Sequence, residues 1–239
     1  MRTPKIFRPN NNIFNLFKDM VSNYENKTIL DFGGNHGNLI KSSDGKILPE
    51  YYTCLDINQE PLDLLPSNIK SIYWNRYHPT YNSSGKMIDL PEIGKYDIVF
   101  ANSVFTHMSL DEILFCIQKL YKVTNNIYFT YVDNKNVKFF EELKSYVPPI
   151  KLTHEQITNL SKNKINYVIN HEMIYYDYPE VWPSDWHNMW TVIDTDYFTK
   201  TIRYILSNVN ITTGKTIGFN WMHINVPNIS WGINPAIGY

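Results

Sequence analysis

Chemistry in this chain could begin at Asp31. It closes an apolar run, and Gly33, Gly34 and Gly37 follow within six positions, separated by Asn35 and His36, in the stretch TILDFGGNHGNLI. A second run, YYTCLDIN, ends in another acid, Asp56, 19 positions after Gly37. Glycines admit a left-handed backbone and let a main chain approach a ligand where side chains would collide. An acid at the end of the neighbouring strand can accept hydrogen bonds from both hydroxyls of an adenosine ribose. The pair points to an adenosine-containing cofactor. A dinucleotide site wants G-x-G-x-x-G, with a helix N-terminus facing a pyrophosphate. Gly33-Gly34-Asn35-His36-Gly37 lacks that spacing.

The elements that must position these residues follow from the apolar pattern. Residues 11–24 place Ile13, Phe14, Phe17, Met20 and Val21 at helical spacing, which predicts a leading amphipathic helix. Strands are expected at 28–32, 51–58, 69–75, 96–101 and 126–133, with helices between them. Ser109 and Glu112 form a capping-box pattern before one helix, and another helix is expected at 136–147. Residues 76–95 read as a long polar loop. A final helix at 196–208 and a pair of strands, the second at 216–226, complete the chain. Near-continuous apolar strands alternating with helices predict an α/β fold, a doubly wound, mostly parallel seven-stranded sheet with helices on both faces. The expected organisation is one domain over 1–239, with an N-terminal helical extension (1–25) and an aromatic-rich insertion (150–192) before the final helix.

Asp31-Phe32-Gly33-Gly34-Asn35-His36-Gly37 resembles motif I of the class I, Rossmann-like S-adenosylmethionine-dependent methyltransferases, usually written (D/E)-x-G-x-G-x-G. Gly33 and Gly37 match its first and third glycines, and Asp31 its acid. Asn35 stands where the second glycine is usual, and Asn is the non-glycine residue best able to adopt a left-handed backbone. CLDIN, with Asp56, and YDIVFANSVFTHMS, at 96–109, resemble two further blocks of that family in the right order. The resemblance covers roughly 25–135, and the final helix and strand pair loosely. It implies S-adenosyl-L-methionine as cofactor, S-adenosyl-L-homocysteine as product, and an antiparallel last strand. It also implies that Gly33, Gly34 and Gly37 pack against the methionine and ribose, and that Asp56 holds the ribose. Trp74 and Asn75 would lie near adenine, Asn102 and Ser103 near the transferred methyl, with Asp31, Phe32, Asn35 and Ile57 completing the cofactor set.

Methyl transfer from a sulfonium needs alignment, and a general base only when the acceptor must lose a proton. His107, after the fourth strand, is one candidate base; its other reading is a residue that fixes the loop by local hydrogen bonds. His187, in the insertion, is a second candidate. His36 could simply cover the cofactor, and His223, on an apolar strand, reads as a satisfied core histidine. The insertion reads either as a satellite core or as a lid whose aromatic walls hold a ring, a sugar face or an amine. No metal site is expected, because the His and acid residues show no zinc-ligand spacing. Net charge of −1 argues against a nucleic-acid partner. No apolar run is long enough to span a membrane, the N-terminus lacks a secretory pattern, and Cys54 and Cys116 read as buried thiols, so a cytoplasmic protein is expected. The expected acceptor is a small molecule, aromatic or sugar-like. An RNA methyltransferase and a catalytically silent cofactor-binding subunit are the alternatives.

Overall fold

The computed structural model describes residues 13–78, 81–108, 110–133, 192–216 and 219–227. In chain order the elements are α1 (Ile13–Met20), β1 (Ile29–Phe32), α2 (Asn38–Ser42), β2 (Tyr52–Asp56), α3 (Gln59–Asp63), β3 (Lys70–Tyr73) and β4 (Ile98–Ala101). They continue with α4 (Leu110–Leu120), β5 (Asn126–Asp133), β6 (Val192–Ile193), α5 (Thr195–Ile205), β7 (Asn210–Lys215) and β8 (Asn220–Asn225). The helix expected at 136–147, the cap at Ser109 and all but the last residue of the 150–192 insertion lie outside the described residues.

Every residue of β1, β2 and β4 is buried, as parallel strands covered on both faces require. The strands run in the order β3-β2-β1-β4-β5-β8-β7. β1 to β5 are parallel, and β8 lies antiparallel to both β5 and β7. The expected seven strands are all present. An eighth, the two-residue β6, was not expected; it pairs with Val132 and Asp133, where β5 runs on past β8.

Alternating side chains divide the core into two layers. On one face Leu30, Phe32, Val99 and Phe129 pack with Ile113 and Ile117 of α4 and Phe198 and Ile202 of α5. On the other, Ile29, Cys54 and Phe100 meet Phe14 and Phe17 of α1 and Leu39 of α2. Burying such side chains contributes roughly 1.5–3 kcal/mol each before entropy is counted.

The connection from β3 to β4 has no helix or strand among its described residues, as expected of a loop, yet Trp74, Arg76, His78 and Asn82 are all buried within it. Among the described residues, no helix is long and apolar enough to cross a membrane.

Candidate active site

Parallel strands leave a crevice beyond their carboxyl ends, where the order reverses on either side of the first strand. β1 and β4 are adjacent here, and the loops after β1, β2, β3 and β4 surround a cavity of about 330 Å³. It is lined by Asp31, Phe32, Gly33, Gly34, Asn35, Asp56, Ile57, Trp74, Asn102, Ser103 and His107, among others.

Steric limits shape the glycine turn. Gly33 has a φ of +75°, and a Cβ on it would lie 2.4 Å from Val104 Cγ2. A Cβ on Gly34 would sit 2.7 Å from both Asp31 Oδ2 and Cys54 Sγ. Asn35 holds a φ of +50°, the left-handed backbone expected of it. The amides of the turn are engaged within the protein. Gly33 and Gly34 donate to the Leu55 carbonyl at 2.7 and 3.2 Å, and Gly37 donates to the Gly34 carbonyl at 2.9 Å. The Asn35 amide donates to Asp56 Oδ2 at 2.9 Å. A phosphate loop presents such amides to its ligand; this turn directs them into the fold.

Asp56 is held from two sides, since the Asn58 amide donates to its other oxygen at 2.8 Å. Each carboxylate oxygen keeps a second lone pair, so two further donors can be accepted. Burial raises its pKa, while the Asn58, Asn35 and Ile57 amides and the neighbouring His36 pull the other way. Asp31 is also buried and accepts from the Tyr52 hydroxyl at 2.5 Å. Burial pushes its carboxyl up to about 7; the Tyr52 hydrogen bond opposes that, and the nearby Asp56 charge adds to it. Two acids, Asp31 and Asp56, face a cavity whose lining, among the described residues, includes no Lys or Arg.

Ser103, with a φ of +55°, is the strained residue at the β4 end. Its amide donates to Thr130 Oγ1 at 2.7 Å, and that hydroxyl reaches Asn102 Oδ1 at 3.4 Å. Trp74 is buried, its indole N–H donating to the Asp89 carbonyl at 2.8 Å. His107 ends a short 3₁₀ helix, Phe105–His107, and faces the cavity.

Two residues of the expected set stand outside the lining. Gly37 caps α2 in a left-handed conformation, and a Cβ there would meet Leu65 Cδ2 at 2.8 Å, so its role is packing behind the turn. Asn75 engages its side chain within its own loop, Oδ1 accepting from the Tyr73 hydroxyl at 2.8 Å and the Asn82 amide at 3.1 Å. His36 is exposed and also outside the lining. His223 stacks on Tyr128 at 4.0 Å and hydrogen-bonds Asn126 Oδ1 at 3.1 Å, and burial lowers its pKa to about 4. It is a structural histidine. His187 lies outside the described residues.

His78, Tyr81, Val104 and Met108 line the cavity and were not singled out in the sequence. A signal existed for the first two: Trp74, Tyr77, His78 and Tyr81 crowd the few residues after β3, the edge where ligands sit.

No family model matches the sequence, and no curated protein matches it. Among solved structures, the fold is similar to the glycopeptide N-methyltransferase MtfA complexed with sinefungin. The TM-score is 0.56 at 8% identity, over 95% of this chain and 99% of that one. MtfA complexed with S-adenosyl-L-homocysteine gives 0.54 at 7%, over 93% and 92%. The N-terminal domain of EvdMO1, in the presence of S-adenosyl-L-homocysteine and D-fucose, gives 0.51 at 10%, over 89% and 79%. The fold of this chain is the class I, Rossmann-like methyltransferase fold.

Proposed function

We propose that this chain is an S-adenosyl-L-methionine-dependent methyltransferase that methylates an oxygen or nitrogen of a small-molecule acceptor. One observation carries the reading. Asp56, fixed by two backbone amides, stands with Asp31 in a cavity whose lining, among the described residues, holds no Lys or Arg, beside a turn whose amides are turned away. That is a poor site for phosphates and a good one for a nucleoside bearing positive charge. Asp56 would take the ribose hydroxyls, Gly33 and Gly34 leave room for the ligand's chain, and Trp74 and Ile57 supply apolar walls. Neighbours of the same fold that hold S-adenosyl-L-homocysteine or sinefungin add support.

When bound, the cofactor supplies an activated methyl group, and the protein's task is to align an acceptor with it. Asn102 and Ser103 would border the methyl position. His107 would accept a proton if the acceptor is an alcohol or phenol. The aromatic residues of 150–192 make a ring or sugar the favoured acceptor class, and the D-fucose in the EvdMO1 structure is consistent with that choice. Both cysteines are free, buried thiols, consistent with a cytoplasmic setting.

Titration calorimetry tests the premise. S-adenosyl-L-methionine and S-adenosyl-L-homocysteine should bind the wild type, and Asp56→Ala should abolish binding. Tight binding of a dinucleotide with neither of these ligands bound would overturn the reading. Unchanged affinity in Asp56→Ala would overturn the ribose assignment alone.

A further inference from the structure

The segment between β3 and β4 is a built element. At its root the Arg76 guanidinium lies 5.3 Å from the Trp74 ring and 4.4 Å from the Phe115 ring of α4, and donates to the Ile88 carbonyl at 3.0 Å. Above it the chain folds on itself. Tyr77 donates to the Lys86 carbonyl at 2.9 Å, and His78 and Asn82 exchange backbone bonds at 3.0 and 3.1 Å. The Asn82 amide group braces the turn from inside, donating to the Arg76 carbonyl at 3.1 Å. Gly85 permits this closeness, because a Cβ there would fall 2.6 Å from the Arg76 carbonyl group.

His78 sits in this element and is only 3% exposed. Its Nε2 lies 2.9 Å from the His107 carbonyl oxygen. A carbonyl only accepts, so Nε2 carries the proton. Nδ1 is then the acceptor, and it receives the Tyr81 amide at 3.2 Å. Each ring nitrogen thus holds a residue of the cavity wall. Tyr81 lies 4.9 Å from the His78 ring and turns an edge-to-face contact, 5.7 Å and 72°, toward His107. Tyr81 and Asp56 both line the cavity, and partial burial, then the Asp56 charge, raises the pKa of the Tyr81 phenol.

We infer that His78 is a positioning residue, which joins the β3–β4 segment to the turn after β4 and so sets Tyr81 and His107 as one aromatic wall of the ligand cavity. Its effect on ligand affinity rests on the cofactor reading above; the bridge itself does not. Neither His78 nor Tyr81 is needed to explain the core, which packs on the strands behind them.

The test is the affinity for S-adenosyl-L-homocysteine, by calorimetry, of wild type, His78→Ala, His78→Gln and His78→Asn, with a thermal melt of each. A Gln amide nitrogen reaches the place of Nε2, whereas Asn reaches only that of Nδ1. His78→Ala should melt cooperatively and bind about tenfold more weakly. His78→Gln should recover most of that loss, and His78→Asn should not. A merely structural histidine would lower the melting temperature without this ordering of affinities. Wild-type affinity in His78→Ala, or recovery in Asn and not in Gln, would overturn the bridge. Hydrogen exchange at the Tyr81 amide gives a readout that needs no ligand. It should be protected in the wild type and exposed in His78→Ala, and equal exchange would overturn the bridge even if no ligand bound. Protection at Tyr81 without S-adenosyl-L-homocysteine binding would instead overturn the cofactor reading and keep the bridge.

Discussion

Asn35 is the residue where the glycine turn departs from the usual motif, and its φ of +50° is the left-handed backbone a glycine there would supply. Its contribution to the site is a backbone amide aimed at Asp56, which any residue tolerating that conformation supplies. Asn35→Gly should therefore change stability by less than ~1 kcal/mol and leave cofactor affinity intact. Asn35→Val should cost more than ~1 kcal/mol and weaken binding, because a β-branched residue resists the left-handed region. Calorimetry and denaturant unfolding of the two variants check both. Asp31 makes a different prediction. With its carboxyl pushed up to about 7, the folded chain keeps a proton that the unfolded chain releases near the usual carboxylate value of about 4. Its stabilising contribution is complete below about pH 4 and is lost as the pH climbs through 7. Unfolding of wild type and Asp31→Asn across that range should show a decline in the wild type that the variant lacks. Comparable declines would mean that Asp31 ionises normally in the fold.

Elements place these residues, and the strongest of them were legible in the sequence. β1, β2, β4 and β5 are short apolar runs read as buried strands, and the first three end where a chemical residue was expected. β6 was not legible, since two residues carry no period. The β3–β4 segment was read as a loop, but its internal order was not legible for a physical reason: that order comes from backbone bonds, an Arg set against aromatic rings and a histidine bridge, none of which leaves an apolar pattern. The same holds for the closure of the sheet at β5. The Thr195 hydroxyl, at the start of α5, donates to Asp133 Oδ2 at 2.7 Å and accepts from the Tyr131 hydroxyl at 2.7 Å. Thr195→Val keeps the shape and removes both bonds. It should cost about 1–3 kcal/mol, since the buried Tyr131 hydroxyl loses its acceptor and Asp133 loses one donor. Urea unfolding reads that loss, and a change under ~0.5 kcal/mol would show that the staple is not a stabilising one.

For the molecule as a whole, charge separates the enzyme readings into testable alternatives. A methyltransferase of this fold can act on metabolites or on nucleic acid, and fold alone does not discriminate. A nucleic-acid enzyme must hold a phosphate backbone, with several Lys or Arg along a trough that leads to the methyl position. This chain has 22 Lys and Arg against 23 Asp and Glu, and the cavity lining, among the described residues, contributes Asp31 and Asp56 and no Lys or Arg. An RNA strand entering past Asp56 would meet repulsion where it needs neutralisation. A fluorescent RNA oligonucleotide, titrated at about 50 mM salt where phosphate contacts are strongest, should therefore give no anisotropy change at micromolar protein. It should also leave the calorimetric binding of S-adenosyl-L-homocysteine unchanged. Binding that weakens steeply with added salt would mean that phosphates are being neutralised by a basic surface elsewhere on the chain, and the small-molecule assignment would fall. Weak, salt-insensitive binding would point instead to bases stacking on the Tyr81 and His107 wall, and His78→Ala would then abolish it together with the protection of the Tyr81 amide.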